Sequence, residues 1–362
     1  MGFEWLYSSD LQTVVRNKII KGLVDTIGDS SPTMALLMND GNTAVSGKST
    51  PAAKSGFFEG GKKIERVVRI ARIDARGSHR DYQPVKIQPT RTKTAVLQDF
   101  GRYYGSVDIS MGEAIEARGP EAKLNLMSTK YEEVWADVKE LIAEGIFNYD
   151  AMMLSTSDHF SGMNGLGQLC GRRAGGTNYG GINREWMGLE SDATHTFWNS
   201  YRDSVSHPAA DLLDRTDTTD YIVYVLQNLV DGCTIGGGKY RPTNLITSKS
   251  IFNTYKEVLR GKQEIQQAKV GSLGFEYLYY EGIPIIWDSY CPDYHIYALN
   301  MKPAFRGKPP LGIIGRKGYW FQETGWKEGQ DTLERVKQVT VDLNMWCDNP
   351  RLVGAALRVG DS

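Results

Sequence analysis

The residues that most often carry chemistry are scattered in this sequence. Five histidines and four cysteines lie far apart, without the HxxxH, HExxH or CxxC spacing that brings metal ligands together. The run GGGK at residues 236–239 lacks the spacing of a phosphate-binding loop, so we interpret it as a turn. Neighbouring acids such as Glu132 and Glu133 are typical of a solvated helix face. We therefore expect no catalytic, metal or cofactor site and no enzymatic activity.

The strongest chemical asymmetry is a basic segment at residues 62–102. It contains eleven lysines and arginines against four acidic residues, whereas the whole chain has a net charge of -1. Apolar residues alternate with arginines in RVVRIARIDARG, which predicts a ribbon that turns near Gly77 and returns through Val96. Little in this ribbon can fold onto itself, so we expect it to be ordered against another surface.

A long amphipathic helix is predicted after the ribbon. Gly119 and Pro120 begin it, apolar residues recur at intervals of three and four, and a stop is expected near Gly145. The helix carries six acidic residues against three lysines. An acidic helix and a basic ribbon in one chain are complementary in a repeating assembly.

The rest of the chain predicts an α/β arrangement with a β-rich end. A helix is expected at residues 221–231, followed by a buried strand at residues 244–247, a cap at Ser248 and a second amphipathic helix. Two short strands are expected around the turn at residues 281–282. Partial alternation of apolar residues at 336–343 predicts a strand near the end.

Composition indicates an ordinary folded chain of 362 residues, of which 41% are apolar and 23% charged. It has neither an apolar stretch long enough to span a membrane nor the pattern of an export signal, so we expect no membrane partner. The scattered cysteines favour reduced thiols. Residues 41–61 are mostly small, which favours an arm that becomes ordered against another surface.

The order of these parts resembles that of the HK97-like major capsid proteins of tailed bacteriophages. The segments that carry the resemblance are FFEGGKKIERVVRI, the stretch from YYGSVDIS to ELIAEGIF, GLGQLCG with GGINREWM, NLITSKSIFNTYKEVL, GFEYLYYEGIPIIWDSYCP with YALNM, and DNPRLVGAALRV. The resemblance spans nearly the whole chain. It lies in the ordered series, since no single motif is specific.

This resemblance implies an α+β fold of the HK97 type. In this family an extended hairpin called the E-loop overlaps the adjacent subunit, and an axial A domain packs around the five- or six-fold centre. A peripheral P domain contains a long spine helix. The implied divisions are an N-terminal arm at 1–61, the E-loop at 62–108, the P domain at 109–204 with the spine helix at about 120–145, the A domain at 205–299, and a return to the P domain at 300–362.

The implied function is that of a major capsid protein, which forms hexamers and pentamers and closes into an icosahedral shell. The shell would enclose double-stranded DNA without reading its sequence. Expected partners are copies of the chain, together with scaffolding, portal and decoration proteins; the expected location is the virion capsid, assembled in the host cytoplasm. Contacts between subunits are predicted at Arg66, Arg69, Arg72, Arg76, Arg80, Lys86, Glu132, Glu133, Asp137 and Glu140.

Two alternatives to a DNA-filled capsid stay open. One is a shell of the same fold that encloses a protein cargo, as encapsulins do. The other is a nucleic-acid-binding protein that uses the basic ribbon to read a groove, for which the DNA affinity of the monomer would depend steeply on salt. The contents of purified particles distinguish the two kinds of shell.

Overall fold

The computed structural model describes residues 31–38, 63–71, 77–78, 81, 91–110, 120–147, 162–170, 185–186, 189–190, 198, 200–203, 221–261, 269–270, 276–302, 310–316, 322–324, 327–328 and 334–356. Its helices are α1 (Pro32–Met38), α2 (Pro120–Phe147), α3 (Leu166–Cys170), α4 (Tyr221–Cys233) and α5 (Lys249–Gly261), with a 3-10 turn at Pro350–Leu352. Its strands are β1 (Lys63–Arg69), β2 (Lys93–Asp99), β3 (Gly101–Ser110), β4 (Glu185–Trp186), β5 (Leu189–Glu190), β6 (Tyr201–Asp203), β7 (Asn244–Thr247), β8 (Lys269–Val270), β9 (Glu276–Tyr280), β10 (Ile283–Trp287), β11 (Ile296–Leu299), β12 (Leu311–Gly315), β13 (Gln322–Glu323), β14 (Lys327–Glu328), β15 (Glu334–Cys347) and β16 (Gly354–Ala356).

The larger sheet is mixed and has seven strands in the order β6-β16-β11-β7-β10-β9-β8. Strands β7 and β10 are parallel, as are β16 and β6, and the other neighbours are antiparallel. All four residues of β7 are buried because it lies between two strands and is covered on both faces. The continuous buried run that the sequence predicts at residues 244–247 is thereby confirmed.

The second sheet is built around the long strand β15. Strand β3 pairs with β15 from Ser110↔Glu334 to Gly101↔Leu343, and strands β12, β13 and β14 also pair with β15. Val339 pairs with both Gly105 of β3 and Glu323 of β13, so these two strands lie on opposite edges of β15. The sheet therefore joins a strand near the start of the described chain to one near its end.

The basic ribbon forms an antiparallel hairpin at its base. Strands β1 and β2 pair from Lys63↔Asp99 to Arg69↔Lys93. The predicted turn near Gly77 lies largely outside the described residues, and the return runs through Val96 as expected. The hairpin ends at Asp99, and a single residue, Phe100, separates it from β3.

Helix α2 lies between the two sheets in the largest hydrophobic core. One face of α2 buries Tyr131, Trp135, Val138, Ile142 and Ile146, which are spaced by three or four residues as the sequence predicts. Its 28 residues correspond to a length of about 42 Å at 1.5 Å per residue. A second core fills the other face of the seven-stranded sheet beneath α4 and α5.

Several predicted elements are confirmed at the level of single residues. The helix expected at residues 221–231 is α4, and the amphipathic helix after Ser248 is α5. Glu281 and Gly282 form the turn between β9 and β10, with φ of 46° and 79° respectively. A two-residue turn with two positive φ angles matches the twist of the paired strands, and glycine adopts this conformation without strain.

Two local predictions differ from the structure in detail. Helix α2 ends at Phe147, two residues after the stop expected near Gly145, and Gly145 lies where the Tyr103 side chain approaches the helix closely. Ser248 precedes α5 and its carbonyl accepts from Phe252 N at 3.1 Å, but its Oγ is buried without a hydrogen-bond partner among the described residues. The side chain of Ser248 therefore does not cap the helix.

Two strands do not follow the predicted division into domains. Strand β3 extends to Ser110 and belongs to the β15 sheet along its whole length, although residues up to 108 are predicted as hairpin. Strand β16 lies in the seven-stranded sheet, although residues 300–362 are predicted as part of the other domain. The division into domains therefore stays a prediction. The pairings give the observed partners of these two strands.

The predicted N-terminal arm contains a buried helix. Residues 31–37 are at most 2% exposed where a value is given, and α1 packs against β12 and α2. The rest of the predicted arm, at 1–30 and 39–61, lies outside the described residues. At least this part of the arm is ordered by its own subunit, which the sequence analysis did not anticipate.

Candidate assembly surface

One face of the β1–β2 hairpin is exposed; we call it the hairpin outer face. Val67 and Leu97 on this face are 64% and 46% exposed. Lys63 Nζ lies 3.2 Å from Asp99 Oδ2 at the base of the face. The hairpin outer face consists of Lys63, Glu65, Val67, Arg69, Lys93, Ala95, Leu97 and Asp99. It thus combines apolar side chains with charges of both signs, as many protein interfaces do.

The opposite face of the hairpin packs onto the subunit. Ile64 and Val96 are 0% and 1% exposed, and Ile64 forms a small core with Phe100, Ile314 and Trp346. A two-stranded hairpin is at best marginally stable alone, so these contacts give the base of the hairpin its order. Only one of its faces is therefore left for another partner.

Hydrogen bonds attach the exit of the hairpin to β15. Gln98 Nε2 donates to Met345 O at 2.6 Å, and Asn344 Nδ2 donates to Asp99 O. Asn344 Oδ1 accepts from Asn164 N at 2.9 Å and from Met345 N at 2.7 Å. Asn344 therefore contacts the hairpin, the segment before α3 and its own strand at once.

Two arginines surround the buried Asp342 carboxylate beside this attachment. Arg316 Nη1 is 3.3 Å from Asp342 Oδ2, and Arg102 Nε is 3.6 Å from the same oxygen. The guanidinium of Arg316 also lies over the Phe100 ring, 4.6 Å from its centroid. The Asp342 side chain is 7% exposed, so it needs these two cations as partners.

The exposed side of α2 is acidic. Glu133, Asp137, Glu140 and Glu144 are exposed and form what we call the acidic helix face. Leu141 lies among them and is 43% exposed. Like the hairpin outer face, this surface offers both charge and apolar area.

The acidic helix face continues towards the turn after β10. Burial raises the pKa of Tyr290, and the carboxylates of Glu140, Asp288 and Glu144 raise it further. Tyr290 also packs against the main core. The end of α2 and the turn at residues 288–295 therefore form one continuous region.

The structure describes four of the ten predicted contact side chains. Arg69 is exposed, and its Nε donates to Ala71 O at 3.1 Å. Glu133, Asp137 and Glu140 are brought together on the acidic helix face, and none of the described ion pairs joins them to the hairpin. Arg66 and Glu132 lie in β1 and α2, but their side chains are outside the described residues, as are Arg72, Arg76, Arg80 and Lys86 entirely.

Sequence reasoning missed the residues that hold the hairpin and α1 in place. Gln98 and Asn344 are polar residues at buried strand positions, where an apolar side chain is usual, and that break in pattern is a usable signal. The sequence SPTMALLM of residues 31–38 also contains a helix start, because proline follows serine and an apolar run follows both.

Two other kinds of feature are a helix that could span a membrane and a cluster of metal ligands. No helix in the described part of the chain is long and apolar enough to cross a membrane. The described residues also contain no group of three or more histidines, cysteines or acids that could hold a metal ion.

Comparisons with known proteins find a match only at the level of structure. No protein-family model and no curated protein sequence matches the chain. The capsid subunit of cyanophage A-1(L) aligns with a TM-score of 0.57 and 14% identity, covering 91% of this chain and 93% of that one. The capsid of a native GTA particle aligns at 0.48 with 9% identity, covering 89% and 97%; the SrpI encapsulin of Synechococcus elongatus aligns at 0.47 with 10% identity, covering 81% and 82%.

The cyanophage comparison defines the fold class. This chain has the mixed α and β fold of a phage capsid subunit over most of its length, and the predicted resemblance is confirmed. At 14% identity the likeness concerns the fold alone.

Proposed function

We propose that this chain is the major subunit of a virus capsid, and that it assembles through hexamers and pentamers into an icosahedral shell. The observation that carries the proposal is the likeness to the cyanophage capsid subunit, which extends over 91% of this chain and 93% of that one. The two sheets, the long helix and the hairpin of this chain are parts that repeated contacts around symmetry axes could use.

In this proposal each part of the fold has a place in the shell. The β1–β2 hairpin is the base of the E-loop, α2 is the spine helix of the P domain, and the seven-stranded sheet with α4 and α5 is the A domain. The β15 sheet joins the E-loop to the P domain, because β3 follows the hairpin directly.

The hairpin outer face is the proposed contact with a neighbouring copy. Val67 and Leu97 are large apolar side chains exposed to solvent in the single subunit. Covering each of them would stabilise an assembly by about 1–2 kcal/mol. A shell repeats this small gain at every subunit, so weak contacts act together.

Charge complementarity supports the acidic helix face of the neighbour as the other half of this contact. Arg69 and Lys93 on the hairpin would approach Glu133, Asp137 and Glu140. The other predicted basic contact residues are Arg66 in β1 and Arg72, Arg76, Arg80 and Lys86 further along the sequence. Exposed ion pairs contribute only about 0.2–1 kcal/mol each. They would therefore fix the register of the two surfaces more than they would strengthen the contact between them.

The proposed content of the shell is double-stranded DNA, held by enclosure without recognition of its sequence. The proposed location is the virion, with assembly in the host cytoplasm and with scaffolding, portal and decoration proteins as candidate partners. Structural roles of this kind need no catalytic site. A protein cargo in place of DNA would make the shell an encapsulin-like compartment.

Negative-stain electron microscopy with sedimentation velocity tests the proposal. The intact chain, expressed alone and with its neighbouring genes, should give closed particles or rings of five and six subunits. Deleting residues 73–84, where the turn of the ribbon is predicted, should leave a folded subunit with normal circular dichroism, because the described residues of both cores lie outside this stretch. The variant should form no shells, because the stretch contains Arg76 and Arg80, which are predicted contact residues.

Each outcome decides something different. A stable monomer of the intact chain in both preparations would overturn the shell proposal and favour the nucleic-acid-binding alternative, which a salt titration of DNA affinity would then examine. Normal closed particles from the deletion variant would overturn the role of the hairpin. Nuclease treatment and protein analysis of purified particles distinguish a DNA genome from a protein cargo.

A further inference from the structure

The direction in which the hairpin leaves the subunit depends on its exit, the link between β2 and β3. Only Phe100 separates β2 from β3, and β3 is paired with β15 from its first residue, Gly101. A hairpin joined by so short a link can still tilt about the bonds of one residue. Contacts made by side chains at this point therefore limit this tilt, together with the packing of Ile64 against Phe100, Ile314 and Trp346.

Asn344 makes the contacts that fix this point. Its Nδ2 donates to Asp99 O, the last residue of the hairpin, and its Oδ1 accepts from Asn164 N at 2.9 Å. Asn344 is 2% exposed and lies in β15, paired with Ile314. One amide side chain thus joins the hairpin, the segment before α3 and the sheet through a buried hydrogen-bond network.

The segment before α3 crosses the exit at very short range. A Cβ at Gly101 would lie 2.7 Å from Met163 N and 2.8 Å from Gly162 C, so only glycine leaves room for the crossing. Met163 N also donates to Tyr103 Oη at 3.0 Å. The crossing segment therefore has its own attachment to β3, and Asn344 connects it to the hairpin.

We propose that Asn344 is a positioning residue that fixes the angle at which the hairpin leaves the subunit, and thereby the angle between neighbouring subunits in the assembly. This inference rests on the proposed shell function. Gln98 contributes to the same attachment through its bond to Met345 O, but its Oε1 is buried without a hydrogen-bond partner among the described residues. Asn344, which uses both ends of its amide, is the more important of the two.

Hydrogen exchange measures how firmly the hairpin is attached to the subunit, and it does so whether the protein is monomeric or assembled. Asn344→Ala should make the amides of residues 93–99 exchange roughly tenfold faster or more, because the Asp99 carbonyl and the N–H groups of Asn164 and Met345 lose their partner. The matched control is Thr243→Val, which removes the hydrogen bonds of Thr243 Oγ1 with Met301 N (2.9 Å), Asn244 Oδ1 and Leu299 O, far from the hairpin in sequence and beside the other sheet. The control should leave exchange at residues 93–99 unchanged.

A milder variant covers the case in which Asn344→Ala does not fold. Gln98→Met removes one hydrogen bond and one unpaired acceptor together, so the two effects partly offset each other and folding should be retained. It should still speed exchange at residues 93–99, by less than Asn344→Ala does. Unchanged exchange in both variants would overturn the positioning role.

Particle size then tests the consequence for assembly. The Asn344→Ala and Gln98→Met variants should give a broader distribution of particle diameters, or open sheets, where the intact chain and Thr243→Val give one size. Particles of unchanged size with faster hairpin exchange would overturn the link between hairpin angle and curvature. If the intact chain forms no shells, the shell proposal fails, whereas the exchange result still decides whether Asn344 holds the hairpin.

Discussion

At the scale of single residues, Gly145 and Tyr103 show how tightly α2 packs on the β15 sheet. A Cβ at Gly145 would overlap the Tyr103 hydroxyl, which accepts a hydrogen bond from Met163 N at 3.0 Å. Burial raises the pKa of Tyr103, while the bond from Met163 opposes that rise. The absence of a side chain at Gly145 thus allows a buried phenol to reach a third segment of the chain.

The substitution Gly145→Ala has two opposing effects, a gain in helix propensity and a clash with the Tyr103 hydroxyl. Alanine is about 1 kcal/mol better than glycine inside a helix, but the added methyl group overpacks the site, which costs about 1–3 kcal/mol. We expect a net loss in the free energy of unfolding, measured by urea denaturation. Combining it with Tyr103→Phe, which removes the overlapping hydroxyl, should cost less than the sum of the two single changes. Additive losses would contradict the contact.

At the scale of elements, helix α1 depends on one carboxylate. Ser31 Oγ donates to Asp288 Oδ2, and Thr33 N donates to the same oxygen at 3.1 Å. Tyr290 N donates to Asp288 Oδ1 at 3.0 Å. A helix of seven residues is too short to be stable alone, so its tertiary contacts, including these bonds at its first turn, must hold it. Asp288 joins α1 to the turn beside the acidic helix face.

Asp288→Ala should detach α1 from the subunit. It leaves buried donors of Ser31, Thr33 and Tyr290 without an acceptor, each at a cost of about 1 kcal/mol or more, so we expect a total loss of about 3 kcal/mol. Urea denaturation measures the loss, and limited proteolysis should show new cleavage near residues 31–38. Asp293→Asn, an exposed change in the same turn, is the control and should stay within about 0.5 kcal/mol. Protection of residues 31–38 in the Asp288 variant would contradict the role of this carboxylate.

At the scale of the whole molecule, buried thiols connect stability to pH. Burial raises the pKa of Cys233, Cys291 and Cys347 above the ordinary thiol value of 9.0. The folded chain thus holds these protons to a higher pH than the unfolded chain does. Their contribution to stability is complete below the unfolded pKa and is lost as pH rises towards the folded pKa.

The free energy of unfolding should therefore fall at alkaline pH. Between about pH 9 and pH 10 each buried thiol should contribute a loss of about 1 kcal/mol, which denaturant titrations at several pH values measure. The three thiols together account for one part of the slope of the free energy of unfolding against pH. Cys233→Ala should remove about one third of that part. An unchanged slope in this variant would show that Cys233 does not titrate on unfolding.

Local patterns in the sequence were sufficient to predict several parts of the fold. Periodicity placed α2, α4 and α5, and the turn chemistry of residues 281–282 placed the hairpin β9–β10, because spacing and turn preferences act over a few residues. The excess of basic residues at 62–102 and of acids on α2 could also be read directly. The ordered series of elements was enough to indicate the capsid fold.

The folded structure was needed for every feature that depends on contacts between residues far apart in the chain. It placed α1 in the core through Asp288, 255 residues after Thr33, and it attached the hairpin through Asn344, 245 residues after Asp99. It also showed that Gly145, the expected end of the helix, is a site of close packing against Tyr103. Such contacts leave little trace in local sequence because their energy comes from burial and from hydrogen bonds between distant segments.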